Sequence, residues 1–284
     1  MEQVMSTASH HTAATAATAA DGTVTSKDGT RIGYTRRGEG PSLILVDGAL
    51  CSRTFGPMGK LVPLLAPHFT VYTYDRRGRG TSGDTPPYAA EREVEDIAAL
   101  IAEAGGSAML FGVSSGAGLV LDAAKRLDGI TKIALYEPPF VVDDTRDPMP
   151  EDFLPRLRER IAAGRPGDAV TMFMRFVGAP SLVVNVMRVT PVWRKLKAVG
   201  GTLPYDLTIM AGRQSGRPLN PGEFAGITVP ACVLAGGKSP DWMRNGNRAL
   251  ADVLPDARHQ VLPGQTHMVK APVVAPVLVD FLKS

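Results

Sequence analysis

Cysteine is scarce. Cys51 and Cys232 are the two in 284 residues, they lie far apart without metal-ligand spacing, and this excludes a disulfide framework and a cysteine-based zinc site. A reducing cytoplasmic compartment fits that usage. Long apolar runs are also missing: no window reaches 18 uninterrupted apolar residues, so no membrane-spanning helix is expected. The opening "MEQVMSTASHHTAATAATAA" lacks the basic start and apolar stretch of a secretory signal. It reads as a disordered tail over residues 1–21, with His10 and His11 solvated rather than metal-bound. Excess charge of one sign is absent too, with 31 Lys and Arg against 28 Asp and Glu, a net +3. With no basic run longer than "YDRRGR", there is no footprint for nucleic acid or an anionic membrane. The expected partner is a small molecule.

What is present is ordinary globular usage, 44% hydrophobic and 21% charged, in a chain long enough to bury a sizeable core. "GTVTSKDGTRIGYTRRGEG" reads as a hairpin about an Asp28-Gly29 turn. After it come apolar runs rich in β-branched and aromatic residues: "SLILVDGA", "FTVYTYDRR", "SAMLFGVSS", "TKIALYEPP", "VPACVLAGG" and, more weakly, "RHQVLPG". Such runs suit strands buried on both faces, which means a parallel sheet. Between them lie helix-like stretches, "GPMGKLVPLLAP", "AEREVEDIAALIAEAG", "AGLVLDAAKRL", "NRALADVLP" and "VVAPVLVDFLK". The alternation is that of an α/β fold. It breaks once, over residues 139–222, a span too long for a loop in a compact domain and read as an inserted helical cap. Residues 22–138 and 223–284 then form the α/β core. The cap carries Met149, Met172, Phe173, Met174, Phe176, Met187, Trp193 and Met210, which suit either an adaptable apolar pocket or the cap's own core.

The chemistry-bearing stretch is "LFGVSSGAGL". Gly112-Val113-Ser114-Ser115-Gly116 fits G-x-S-x-G at the end of an apolar strand and the start of a helix, the context a nucleophile elbow requires. The turn has room only for small residues two positions on either side of the serine. Ser114 has Gly112 and Gly116 there, whereas Ser115 has Val113 and Ala117. Ser114 is therefore the nucleophile candidate, and the N–H of Ser115 a candidate oxyanion donor. The alternative is a Gly/Ser-rich turn with Ser114 as a helix N-cap.

A serine nucleophile needs a base and an orienting acid, in the order Ser, Asp/Glu, His for this architecture. His10 and His11 are in the tail, His68 precedes the serine, and His259 begins a strand-like run. His267, in the loop "LPGQTHMVKAP", can reach the elbow from the carboxyl end of the sheet. For the acid two residues compete. Asp241 follows the "VPACVLAGG" strand, but it also suits a helix N-terminus. Glu137 ends the strand after the nucleophile helix, where Pro138 and Pro139 fix the departing backbone.

Two other motifs fail their context. Gly78 to Gly83 fits G-x-G-x-x-G, but "DTPPY" stands where a helix must begin. "AGGKS" resembles a P-loop ending, with Cys232 where its first glycine belongs.

Taken together, "VDGA", "YDRRGRGTS", "GVSSG" and "GQTH" occur in the order typical of the α/β-hydrolase fold, which the chain resembles from about Gly22 to Ser284. The resemblance implies a mostly parallel central sheet flanked by helices, with an inserted helical cap. It places an oxyanion turn at Gly48 and Ala49, with Asp47 where a histidine is usual. In the family's common Gly-x-x-Asp acid motif, counted from Gly236, the acid slot holds Ser239. Members with the acid at the end of the sixth strand exist, and Glu137 falls at that place. The combination of "VDGALC", "SSGA" and a Glu-Pro after the sixth strand is locally similar to fungal lactone hydrolases that open the macrolactone zearalenone.

The expected activity is hydrolysis of an ester or lactone by Ser114, His267 and Glu137, with Asp241 as the alternative acid and no metal or organic cofactor. The same constellation serves carbon–carbon bond hydrolases and peroxidase-like enzymes, and the fold can also act as a small-ligand binding module. Halide-removing and epoxide-opening enzymes usually hold an aspartate where Ser114 stands. Cys51, close in sequence to the oxyanion turn, suits either the pocket wall or a small buried position.

Overall fold

Each apolar run becomes a strand of one sheet. The computed structural model describes residues 19–284, so the tail reading of residues 1–18, with His10 and His11, lies outside the described residues. The strands are β1 (Ala20–Thr25), β2 (Arg31–Arg37), β3 (Ser42–Val46), β4 (Thr70–Tyr74), β5 (Ala108–Val113), β6 (Ile130–Tyr136), β7 (Ala231–Gly236) and β8 (Ala257–Leu262). Their order in the sheet is β1-β2-β4-β3-β5-β6-β7-β8. The pairs β1·β2 and β2·β4 are antiparallel and the rest parallel. The hairpin turns at Asp28-Gly29, where Gly29 N donates to Ser26 O at 2.9 Å. Strand β1 opens at Ala20, two residues before the expected start of ordered chain. Asp21 pairs with Thr35 in register, accepts from the Thr35 hydroxyl at 2.5 Å and meets Arg53 at 3.0 Å, which fixes those two residues to the sheet.

Strand alternation sends successive side chains to opposite faces, and both faces are covered. Leu110 of β5 and Ile44 and Val46 of β3 pack with α2 (Ala90–Glu103), α3 (Ser115–Ala124) and α10 (Asp241–Val253). Met109, Phe111 and Val113 of β5 pack with Leu43 and Leu45 of β3 against α1 (Met58–Leu65) and α11 (Ala271–Lys283). Burial on both faces is why the parallel strands read as continuous apolar runs rather than alternating ones.

The long excursion between β6 and β7 holds α4 (Phe153–Ala162), α5 (Pro166–Phe176), α6 (Ser181–Met187), α7 (Pro191–Gly200), α8 (Leu203–Ile209) and the short α9 (Pro221–Phe224). Helices α4 to α8 share a separate apolar cluster built on Phe153, Leu157, Val170, Trp193, Leu196 and Leu203, whereas Phe224 of α9 joins the core of the sheet. Leu50, from the loop after β3, is buried in the same cluster and ties the helical cap to the loop beside the serine elbow. No described helix is long and apolar enough to cross a membrane.

Candidate active site

Ser114 sits between β5 and α3 with φ 57° and ψ −127°, a left-handed conformation that a non-glycine residue adopts at a cost of about 1–3 kcal/mol and that persists only where its surroundings enforce it. Here they do. A Cβ at Gly112 would fall 2.6 Å from Gly116 O, and one at Gly116 would fall 2.4 Å from Val46 O, so glycine is obligatory at both positions flanking the turn. The Ser114 N–H donates to Tyr136 O at 2.9 Å, linking the elbow to β6.

Glu137, the residue after that strand, also has positive φ, 47°. Its carboxylate is fully buried, accepting from Gly236 N at 2.6 Å through Oε1 and meeting His267 Nδ1 at 2.9 Å through Oε2. His267 lies in the loop between β8 and α11 with 40% of its side chain exposed. The Tyr136 hydroxyl donates to Thr266 O at 2.6 Å and so holds the histidine loop from β6. One strand end thus fixes the elbow, the carboxylate and the loop. Among the described residues His267 bonds Glu137 and makes no hydrogen bond to Ser114. Asp241 stands elsewhere, as the exposed first residue of α10, paired with Arg244 three residues on. That is the helix N-terminal use its sequence context suited.

On the other side of Ser114 the loop after β3 is pinned from beneath. Arg79 Nη1 donates to Gly48 O at 2.7 Å and Arg76 Nη1 to Asp47 O at 3.3 Å. The Gly48–Ala49 peptide is trans, so a carbonyl turned to Arg79 turns the Ala49 N–H the opposite way. The Ser115 N–H belongs to the first turn of α3, where no intrahelical acceptor exists. Ala49, Ser114, Ser115 and His267 all line one cavity of about 530 Å3, solvent at its mouth included.

The two arginines belong to a buried ion cluster that the sequence reading missed. Arg76 meets Glu93 through both Nε and Nη2, at 2.6 and 2.7 Å. Asp206, on α8 of the cap, accepts from Arg76 at 2.6 Å, Arg79 at 2.7 Å and the Ser115 hydroxyl at 2.7 Å. Burial pushes the Asp206 carboxyl toward its neutral form, but the Arg79 and Arg76 guanidiniums outweigh it and hold the pKa below the usual value. The available signal was an aspartate inside the apolar helical stretch "LPYDLTIM", a position that needs buried donors. Asp47 is the counter-case. Its side chain is fully buried with Oδ1 unpartnered, and burial raises its pKa to about 7. Two arginines already face two carboxylates, so no full counter-charge remains for it.

The rest of the cavity wall is mostly apolar. Phe173, Phe176 and Met210, from the candidate pocket residues of the cap, do line it, beside Leu207, Val177 and Met243. Trp193 is instead buried in the cap core, and Met149, Met172, Met174 and Met187 pack around that core. Cys51 packs beneath the loop near Gly56 rather than on the cavity wall, and burial pushes its thiol up to about 12. Among the described residues no group of three or more His, Cys, Asp or Glu could hold a metal ion.

The fold agrees with the comparisons to known proteins. The model of the alpha/beta hydrolase family matches residues 43–279, and the chain belongs to that family. It is similar to the crystal structure of an alpha/beta hydrolase from Sphaerobacter thermophilus DSM 20745, at 50% identity and a TM-score of 0.84 over 92% of this chain and 100% of that one. An enol-lactonase from Burkholderia xenovorans LB400 shares the fold at 22% identity and a TM-score of 0.70, over 93% of this chain and 100% of that one. An esterase from Rhodococcus sp. ECU1013 does so at 18% identity and a TM-score of 0.67, over 93% and 98%. A search of curated proteins found no match.

Proposed function

We propose that this hydrolase cleaves a carboxylic ester or lactone with an apolar acyl or ring portion, through an acyl-enzyme on Ser114. The observation that carries the reading is the buried Glu137 carboxylate 2.9 Å from His267 Nδ1, in a chain whose Ser114 is held strained on the wall of the cavity that His267 also lines. A carboxylate at Nδ1 fixes the tautomer with the proton there, leaving Nε2 free as a base.

Substrate docking closes the bond between Ser114 Oγ and His267 Nε2, a contact that often tightens only in the complex. Ser114 Oγ then attacks the carbonyl carbon as its proton passes to Nε2, and Glu137 stabilises the imidazolium. The negative oxygen of the tetrahedral intermediate lies between the N–H groups of Ser115 and of Ala49 or Gly48. Loss of one such donor typically costs about 10²–10³ in turnover. Collapse of the intermediate breaks the bond to the alkoxy oxygen, which takes the proton from His267. Water, deprotonated by His267, attacks the acyl-enzyme and releases the acid and Ser114. No metal or organic cofactor takes part. The enol-lactonase and esterase neighbours support an ester-type bond as the target. The unpaired Cys51 and Cys232 accord with a cytoplasmic setting.

Labelling with a serine-reactive fluorophosphonate, located by peptide mass spectrometry, tests the nucleophile. Stoichiometric modification of Ser114, absent in Ser114→Ala, is expected, together with a loss of ester turnover of about 10⁴–10⁶ in that variant. Folded protein that takes no label at Ser114 would sink the reading and favour a ligand-binding module on the same fold.

A further inference from the structure

Four arginines of this chain are deeply buried, Arg76, Arg77, Arg79 and Arg213, and each meets a carboxylate at 2.6–2.7 Å. Arg146 breaks that pattern. It lies on the loop after β6, half-buried in the wall of the same cavity as Ser114 and His267. Its guanidinium packs over the ring of Trp242 at 4.2 Å and that of Phe176 at 5.0 Å, and Nη2 donates to Phe176 O at 2.7 Å. Among the described residues it has no carboxylate partner. The one carboxylate on the cavity wall among the described residues, Asp206, is already occupied by Arg76, Arg79 and Ser115.

Two aromatic rings cover the guanidinium and a carbonyl fixes one of its nitrogens. The donors that remain are the N–H groups of Nε and Nη1 and the second N–H of Nη2, which pairs in the plane with Nε–H or Nη1–H to make a fork whose geometry matches a carboxylate. The clamp also restrains the side chain in advance, so little rotamer freedom is lost when an anion arrives. Burial acts on this cation without compensation and lowers its pKa, yet a guanidinium remains charged at neutral pH. A half-desolvated, immobilised positive charge in a mostly apolar wall, whose carboxylate Asp206 is already neutralised by two arginines, is a binding device for an anionic group on whatever fills the cavity.

We infer that Arg146 is a specificity-determining residue that anchors a carboxylate of the substrate, remote from the scissile carbonyl. The substrate class becomes an ester or lactone whose apolar body carries a free carboxylate. This rests on the ester or lactone reading of the same cavity.

Binding separates the two. In Ser114→Ala protein, monomethyl adipate, which carries an ester and a carboxylate, is titrated against dimethyl adipate by calorimetry at neutral pH. The acid is expected to bind at least about tenfold more tightly, the effect of one charge-assisted fork. Adding Arg146→Gln should bring the two ligands within about threefold, while Arg146→Lys, which keeps the charge and the stem but not the fork, should fall between. Melting temperatures of both variants identify any loss of fold, and the lysine variant keeps the comparison open if glutamine loosens the clamp. Equal affinities, no binding of the acid up to about 10 mM, or a preference that survives Arg146→Gln in folded protein would each overturn the anchor. Turnover by the unmutated protein is read apart. Preference for the acid without hydrolysis of any ester keeps the anchor and removes the esterase reading, whereas hydrolysis without preference does the reverse.

Discussion

Glu137 and Asp206 are both buried carboxylates close to the serine elbow, one at the end of a central strand and the other on a cap helix. Their partners differ. Glu137 is balanced by a backbone N–H and one titratable ring. Asp206 is saturated by two guanidiniums and a hydroxyl, all permanent donors near neutral pH. A carboxylate facing an imidazole can stabilise a positive charge that appears and disappears during a reaction. One locked between arginines can only hold things still. In the proposed mechanism the sheet end moves a proton while the cap side holds the loops still, and the elbow lies between them.

The largest effect is expected where the sheet end is broken. Glu137→Ala removes the orienter of His267 and should lower kcat by about 10⁴. Asp241→Ala, at the exposed helix start, should change it by less than about threefold. Steady-state kinetics on one activated ester decides, and the reverse ranking would return the acid role to Asp241.

Breaking the cap side should act differently. Asp206→Asn keeps the shape but leaves Arg76 and Arg79 with a single carboxylate between them, a loss of about 3–5 kcal/mol for an uncompensated buried charge. Under the proposed mechanism Asp206 is a positioning residue, acting through Ser115 and through the arginines that hold the Gly48 loop. So kcat should fall by about 10–100-fold with KM little changed, because the donors act on the transition state. Denaturant unfolding and a kcat–KM comparison test both parts. A KM rise at constant kcat would show that the cluster shapes binding rather than the oxyanion loop.

The same division governs what could be read from the sequence. The sheet end was legible because its residues are local signals: a glycine-flanked serine after an apolar run, a carboxylate at a strand end, a histidine in a late loop. The strands of the parallel sheet were legible for their two-sided burial. The edge strand β8 gave a weak signal because only Leu262 among its residues is fully buried. Helix α10 was visible only in its second half, since "DWMRNG" shows no helical apolar period and Gly246 is there for close approach to the Phe140 carbonyl, which lies 2.3 Å from where a Cβ would be. The ion cluster left one trace, Asp206 inside an apolar helical stretch, and none at its arginines. Arg76 and Arg79 look like surface charge in "YDRRGR", and their partner Asp206 is 130 residues from Arg76. Nothing local distinguishes a solvated arginine from one whose counter-ion arrives from an inserted domain. Arg146 was missed for the converse reason, as an unremarked charge in the loop "DDTRDPMP" with acidic residues on both sides that it does not bond.

Asp47 sharpens the comparison because it is the buried carboxyl for which neither solution is available. A carboxyl with a folded pKa of about 7, against 3.8 as its ordinary value, holds its proton more tightly in the folded chain than in the unfolded one. Its contribution is therefore least harmful below pH 4 and worsens as pH rises toward 7, at roughly 1.4 kcal/mol per unit while the folded chain carries the extra proton. Above about pH 7 the charge is present in both states and the cost is constant. Asp47→Asn is nearly isosteric and cannot ionise, so it should stabilise the protein at pH 8 by a few kcal/mol, and at pH 5 by less than half of that. Denaturant unfolding of both proteins at the two pH values measures the difference, in which packing changes common to both conditions cancel. An equal gap at pH 5 and pH 8 would mean that Asp47 ionises as it does in water. The division would then fail at its simplest point, since a buried carboxyl without a cation would have kept its charge.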